Sequence, residues 1–448
     1  MNFKILKLAG WGNYLPMECP VYRPEKEREV PVVMASHGSA LVARGMGRSY
    51  GDASLNSGGI ISSERLNRFI EFDAEKGVIT AEGGVSLAEI LDIAVVKGWF
   101  LPVVPGTKYA SLGGAIACNI HGKNHYAKGD FAEYVLHLKL CLPNGESLDC
   151  SAAKNAEIFW ATCGGMGMTG YIERATLQLI PIESASLGCW RVKAENIEEM
   201  VALFRENATN SDYMIGWIDH FARGKNLGAG IFEKSNHCKL TDGLPLGKYR
   251  EKPPSFSVPK FFPAFTLNKY SMALYNRARF CGIGKKGATM KRNFFEFFHP
   301  LDALKNWNRM YGNNGFFQYQ FIVPEGKNAA IDMRNILQLI QDSEHFSFLA
   351  VIKYHRGGKG LMTFPIAGFS IALDFPAGEK ILGLLDKIDE ELCRTGGRIY
   401  LAKDARAKPG TIEKMYGKNF REWKKIIKEI DPQNKMDSAM GKRLGFHE

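Results

Sequence analysis

Three glycine clusters lie within a single stretch of this chain, and they constrain its fold more than any other feature. They read ARGMGRSYGDASLNSGG (43–59), PGTKYASLGGAIACNIHGKNH (105–125) and CGGMGMTGYIERATLQL (163–179). Glycine weakens helices and strands by roughly 0.5–1 kcal/mol per site, so three clusters are costly in a purely structural role. In the first, glycines 45, 47 and 51 permit positive φ and can turn successive N–H groups toward one point, a nest for phosphate, with Arg44 and Arg48 adding charge. Taken alone, this stretch is read more simply as a glycine-rich turn. It is neither a G-x-G-x-x-G opening a helix nor a Walker loop. The second cluster places small residues at 113–115, where a flat ligand can approach the backbone, and His121, Lys123 and His125 close behind. The third runs directly into a strand pattern. A large dinucleotide threaded between loops accounts for all three.

A length of 448 residues implies two or three domains, and 45% hydrophobic with 23% charged residues is an ordinary globular composition. The net charge of +11 favours phosphates, nucleic acid or an anionic membrane without choosing among them. No RRM-, KH- or helix-turn-helix-like pattern is present, so no nucleic-acid partner is expected. Nine cysteines, an odd number without a C-x-x-C pair, suit reduced thiols in a cytoplasmic setting, and no metal site is expected. No signal peptide is read at the N-terminus, and no apolar run approaches about 18 residues.

Residues 30–180 read as short strands with glycine punctuation. GVITAEGG (77–84) is a strand ending in a turn, and SLAEILDIAVVKGW (86–99) is a helix opened by a Ser86–Glu89 capping box. YVLHLKLCLPNGESLDC (134–150) is a hairpin turning at Asn-Gly, and GYIERATLQLIPI (170–182) is a strand. From 185 to 395, helical stretches (196–208, 378–396) alternate with strands (213–219, 316–324, 348–355), predicting a second domain on an antiparallel sheet. Residues 236–292, with prolines 253, 254, 259 and 263, read as an irregular segment too long for an ordinary loop. The tail reads as a strand end (400–409) followed by helix (415–435). The expected fold class is α+β, with domains at 1–185 and 186–395 and a C-terminal segment, 396–448, returning to the first.

The order RGMGRSYGD … PGTKYASLGGAIACNIHGKNH … GGMGMTGYI resembles the FAD domain of the vanillyl-alcohol oxidase family, whose FAD-binding domain is of the PCMH type. Within it the chain resembles the decaprenylphosphoryl-β-D-ribose 2′-oxidases. The likeness continues through LNKY (267–270), FFHPLDALKNWNRMYGNNGFFQYQFIVP (297–324), FPIAGFSIALDFP (364–376) and YLAKDARAKP (400–409), and so covers nearly the whole chain.

The resemblance implies that the first loop holds the FAD pyrophosphate through Ala43, Arg44, Gly45, Met46, Gly47, Arg48, Ser49, Tyr50, Gly51, Asp52 and Ala53. It implies that Gly106, Ser111, Leu112, Gly113, Gly114, Cys118, Asn119, Ile120 and His121 line the flavin, with Ile172 near the adenine and Tyr400 reaching back to the cofactor. Covalent relatives carry a flavin-linking His where this chain has Arg48, which implies noncovalent FAD. Lys403 resembles the family's active-site lysine, as base or as anchor; a solvated lysine is its plain alternative. Lys123 and Lys353 are candidate phosphate or sugar contacts. Gln318 and Gln320, two apart in a strand, point the same way. Trp217 is a candidate sugar or flavin contact, or core.

The implied activity is FAD-dependent oxidation of the 2′-hydroxyl of a polyprenyl-phosphate-linked ribose to a keto sugar, with a separate NAD(P)H-dependent reductase completing the epimerisation to arabinose. A soluble sugar alcohol or aldonolactone is the alternative substrate. A lipid-linked substrate also implies a cytoplasmic enzyme in peripheral contact with the cell membrane. Ala372 and Phe298 stand where members of the group carry cysteine and tyrosine, which leaves the sugar and lipid chain open.

Overall fold

The computed structural model describes residues 2–248, 254, 256–281, 283 and 287–448. Pro253, one of the prolines noted above, lies outside the described residues.

Two sheets carry the glycine loops. In the first, Phe3–Leu8 pairs antiparallel with Met17–Tyr22, and Ile60–Ser62 and Val42–Arg44 follow in parallel. The second is antiparallel, in the order Phe69–Asp73, Val78–Glu82, Tyr171–Gln178, Val135–Cys141, Ser147–Cys150. The capping box forms as read: Ser86 Oγ accepts from the Glu89 N–H at 3.2 Å, and Glu89 accepts from the Ser86 N–H at 2.8 Å. The hairpin also forms, with Gly145 at φ +89°.

The third sheet has eight antiparallel strands. Their order is Ala288–Asn293, Ser186–Ala194, Gly230–His237, Tyr213–Ile218, Ala350–His355, Gly368–Pro376, Phe316–Pro324, Arg398–Ile399. Its last strand comes from the C-terminal segment. Helices Ile197–Asn207, Ala329–Asp342 and Glu379–Thr395 cover one face. Their Met200, Phe204, Met333, Ile336, Leu385 and Ile388 pack in one core with Phe317, Phe321, Ile371 and Leu373. Strand alternation sends the intervening residues to the other face, toward the glycine loops.

The segment read as irregular departs from that reading in its second half. Lys269–Cys281 is a thirteen-residue helix, and Ala288–Asn293 is an edge strand of the large sheet. The prolines all fall before residue 264, and KYSMALYNRARFC holds residues of good helix propensity and no proline. The tail is helical within Pro409–Ile430 but breaks at Gly417 (φ +57°), so a separate helical stretch precedes the one that was read. The C-terminus then returns to the first sheet, where the Leu41 N–H donates to Lys435 O, and to the helix Ala156–Thr162, where Trp423 Nε1 donates to Ala161 O. Among the described residues no helix is long and apolar enough to cross a membrane.

Candidate active site

The first loop leaves the strand Val42–Arg44 at Gly45. Among the described residues, the backbone N–H groups of Gly45, Met46, Gly47, Arg48 and Ser49 donate to no protein acceptor. Gly47 takes φ +61°. A Cβ at Gly45 would collide with Ser111, and one at Gly51 with the Asp404 carbonyl, so these glycines let the first loop close on the second loop and on the C-terminal segment. The Tyr50 N–H donates to Ala402 O at 3.0 Å.

The side chains of this loop mostly face the protein. Sequence reasoning gave the Arg44 charge to a phosphate. Its guanidinium instead donates to Ala9 O at 2.8 Å and Ser54 Oγ at 3.0 Å. Arg48 lies over the Trp11 ring at 4.1 Å. The Asp52 carboxylate accepts two bonds from Arg443, at 2.9 and 2.8 Å, which removes a negative charge from beside the open N–H groups. Ala53 is buried and Met46 is exposed at the rim.

In the second loop, Ser111 caps the short helix Leu112–Ala117. Gly113 donates to Gly83 O at 2.8 Å, and a Cβ there would press on that carbonyl and on Ile172. Leu112 and Ile120 are buried below, while Gly106, Gly113, Gly114 and Cys118 keep exposed surface. Asn119 donates to Thr363 Oγ1 at 3.0 Å. The third cluster lies against this helix: the Gly164 and Met166 N–H groups donate to Ile116 O and Ala117 O. Its glycines build the floor.

The uncovered face of the large sheet meets these loops. It carries Gln318, Gln320, Ser370, Ala372, Asp374, Lys353 and His355, paired by register. Gln320 Nε2 donates to His121 Nε2 at 2.9 Å, which places the imidazole proton on Nδ1. Burial, with Lys353, His355, His125 and Lys403 nearby, holds His121 far below its ordinary range, hence neutral. His355 shares a bond of 2.6 Å with Ser370, and His125 donates to Asp130 at 2.7 Å. Tyr400 O–H donates to Cys118 O at 2.8 Å and its ring lies 4.9 Å from that of His121, so it joins the second loop to the sheet.

Lys403 sits in a single 3₁₀ turn, Leu401–Lys403, with its Nζ over the Tyr50 ring at 5.5 Å. Burial and the nearby Lys353 push its amine down to about 7, against the opposing pull of Asp374. Burial lowers Lys353 to about 8. Lys123 also falls to about 7 by burial, and its Nζ donates to Phe297 O. Trp217 lies farther along the same face, packed with Ile231, Ile283 and Phe280. The structure therefore brings together Lys403, Lys353, His121, Gln318, Gln320, Tyr50 and Tyr400, and leaves Trp217 to one side. Sequence reasoning missed Ser370, Asp374, His355, Tyr311 and Arg443. Alternation in FSIALDFP could have pointed to the first two.

The residues present fit a flavin dinucleotide. Five open N–H groups suit a pyrophosphate. His121 Nδ1, Gln320 Oε1 and Arg48 Nε are buried with no hydrogen-bond partner among the described residues, as expected of a site shaped for a polar ring system. Comparison with known proteins agrees. Residues 20–151 match the family model for an FAD binding domain. Such a domain joined to a sheet that presents amines and amides to it defines an FAD-dependent oxidoreductase.

The decaprenylphosphoryl-β-D-ribose oxidase of Mycolicibacterium smegmatis is 34% identical over 98% of this chain and 97% of that protein. The L-gulonolactone oxidase of Bos taurus is 30% identical over 40% of this chain and 42% of its own length. The D-lactate dehydrogenase of Anaerostipes hadrus is 28% identical over 39% of this chain and 36% of its own. The chain belongs to the decaprenylphosphoryl-β-D-ribose oxidase family.

Proposed function

We propose that this enzyme oxidises the 2′-hydroxyl of a ribose carried on a polyprenyl phosphate to the 2′-keto sugar, the first half of an epimerisation toward arabinose in cell-envelope synthesis. The observation that carries this reading is the half-buried Lys403, whose amine lies over Tyr50 beside the polar sheet face that meets the FAD loops and is lowered to about 7. A neutral amine near pH 7 is matched to taking a proton from an alcohol. When bound, FAD supplies the acceptor for the hydride that leaves the sugar carbon. Lys403 accepts the hydroxyl proton, Lys353 and Lys123 favour the anionic phosphate, and Gln318 and Gln320 orient the sugar. The relative that matches nearly end to end is named for such a substrate.

FAD is held noncovalently, since Arg48, stacked on Trp11, stands where covalent relatives have His. The keto product requires a separate NAD(P)H-dependent reductase. The lipid tail requires peripheral contact with the inner face of the membrane. Phe256, Phe261, Phe265 and Tyr270 are 58%, 90%, 78% and 75% exposed, beside Lys260 and Lys269, and supply an aromatic-basic surface for it.

Turnover of a short-chain prenyl-phosphoryl ribose, set against alditols and aldonolactones, tests the substrate. The soluble-substrate reading is favoured by the likeness to L-gulonolactone oxidase, which covers less than half of this chain. Preferential turnover of a lactone would replace the first reading with that one. Sedimentation with anionic liposomes, lost on deleting 250–266, tests the membrane contact.

A further inference from the structure

Asp374 is a fully buried carboxylate on the polar face of the sheet. Gln318 Nε2 donates to its Oδ1 at 2.7 Å, and Tyr311 O–H donates to its Oδ2 at 2.9 Å. It makes no ion pair with any described residue; the basic side chain whose charge it feels is Lys403. The other side of the sheet treats a buried carboxylate differently. Asp389 accepts from Tyr319 at 2.5 Å and is paired directly with Arg406. A buried carboxylate held only by neutral donors costs stability, and an apolar residue at that register would pack without that cost.

We propose that Asp374 is the positioning residue for Lys403. It fixes Gln318 and through it Tyr50, the ring on which the amine rests, and it is the counter-charge that holds the ammonium formed when the substrate hydroxyl gives up its proton. This rests on the function proposed above. Gln318 bonds to Asp374 and acts on the neighbouring Tyr50 hydroxyl, and Lys403 lies over the Tyr50 ring. Lys403 is faced by Lys353 from the strand Ala350–His355, by Asp374 from Gly368–Pro376, by Tyr50 from the first loop and by His121 from the second. Asp374 is faced by Tyr311, Tyr50 and Lys403. In this set Asp374 is the carboxylate that opposes Lys353. Burial pushes Asp374 up to about 6, so it is ionised where Lys403 changes charge, near 7.

The test is competitive acylation of the FAD-loaded enzyme across pH, with mass spectrometry following the Lys403 peptide. This reads the amine directly and needs no substrate. In Asp374→Asn the labelling midpoint of Lys403 should move to lower pH by about one unit, because an opposing charge has been removed. Tyr311→Phe takes one donor from the carboxylate and should move it the same way by less, which keeps the proposal open to refutation should Asp374→Asn fail to fold. Flavin reduction at saturating substrate should slow in both, with its acid limb moved in parallel and bound FAD retained. An unchanged Lys403 midpoint in the folded variants would overturn the proposal and leave Asp374 a structural hub. Moved labelling with an unmoved acid limb would instead overturn the role of Lys403 as base.

Discussion

On the strand Phe316–Pro324, Phe317, Tyr319, Phe321 and Val323 press against helices, while Gln318 and Gln320, one step out of phase, face the FAD loops. The strand Gly368–Pro376 repeats this, with Phe369, Ile371, Leu373 and Phe375 on one side and Ser370, Ala372 and Asp374 on the other. Both faces are buried, so burial alone does not tell them apart. Charge pairing does. The helix-covered face is apolar or ion-paired, as at Asp389 and Arg406. The other keeps lowered amines and a neutral imidazole, with no ion pair at Asp374 among the described residues. One face serves stability, and the other accepts a stability cost to keep groups available for a ligand.

The comparison breaks most sharply at Lys403. Lys403→Ala should retain FAD and fold normally yet lose flavin reduction by on the order of 10²–10⁴; near-normal single-turnover reduction would return it to a bystander. The opposite signature belongs to the covered face. Phe321→Ala should lose about 3–5 kcal/mol in denaturant unfolding, as large-to-small core changes do, while the folded, FAD-loaded fraction reduces flavin at near the parent rate.

The pH profile sharpens the electrostatic half of the contrast. Lys403 is neutral above its value of about 7, so the rate of reduction should rise with pH through that point. Below it the rate should fall by about tenfold per unit, as the fraction of free base does. A flat profile between pH 5 and 8 would separate the reaction from this amine. The smallest effect is expected at Lys353, whose charge lowers Lys403. Lys353→Met should move the acid limb to higher pH by less than about one unit, opposite in sign to Asp374→Asn.

Much of the local structure was legible in the chain. The Ser86–Glu89 box, the Asn-Gly hairpin and the period-two run around Gln318 and Gln320 depend on neighbours a few residues away, and each forms where its pattern lies. The helix Lys269–Cys281 was obscured by the prolines before it, whose effect does not extend past the residues they touch. The site was legible only as separate pieces. The first loop could be read as an anion nest, but not that Arg44 turns to Ala9 and Ser54, because that depends on where a distant N-terminal segment lies.

By itself the sequence determined the glycine loops, the alternation of the strands, the helix caps and the kinship to FAD-dependent oxidoreductases, since these reside in residue type and short-range spacing. Strand register and chain return were decided only by the tertiary structure. Pairing sets Gln318 opposite Asp374 and Lys353 opposite Ser370. The C-terminal wrap brings Arg443 to Asp52 and Asp404 and carries Lys403 to Tyr50. The lowered amine of Lys403 follows from that assembly. Desolvation and the charge of Lys353 act through space, and no local pattern in LAKDAR records which distant side chains will surround it.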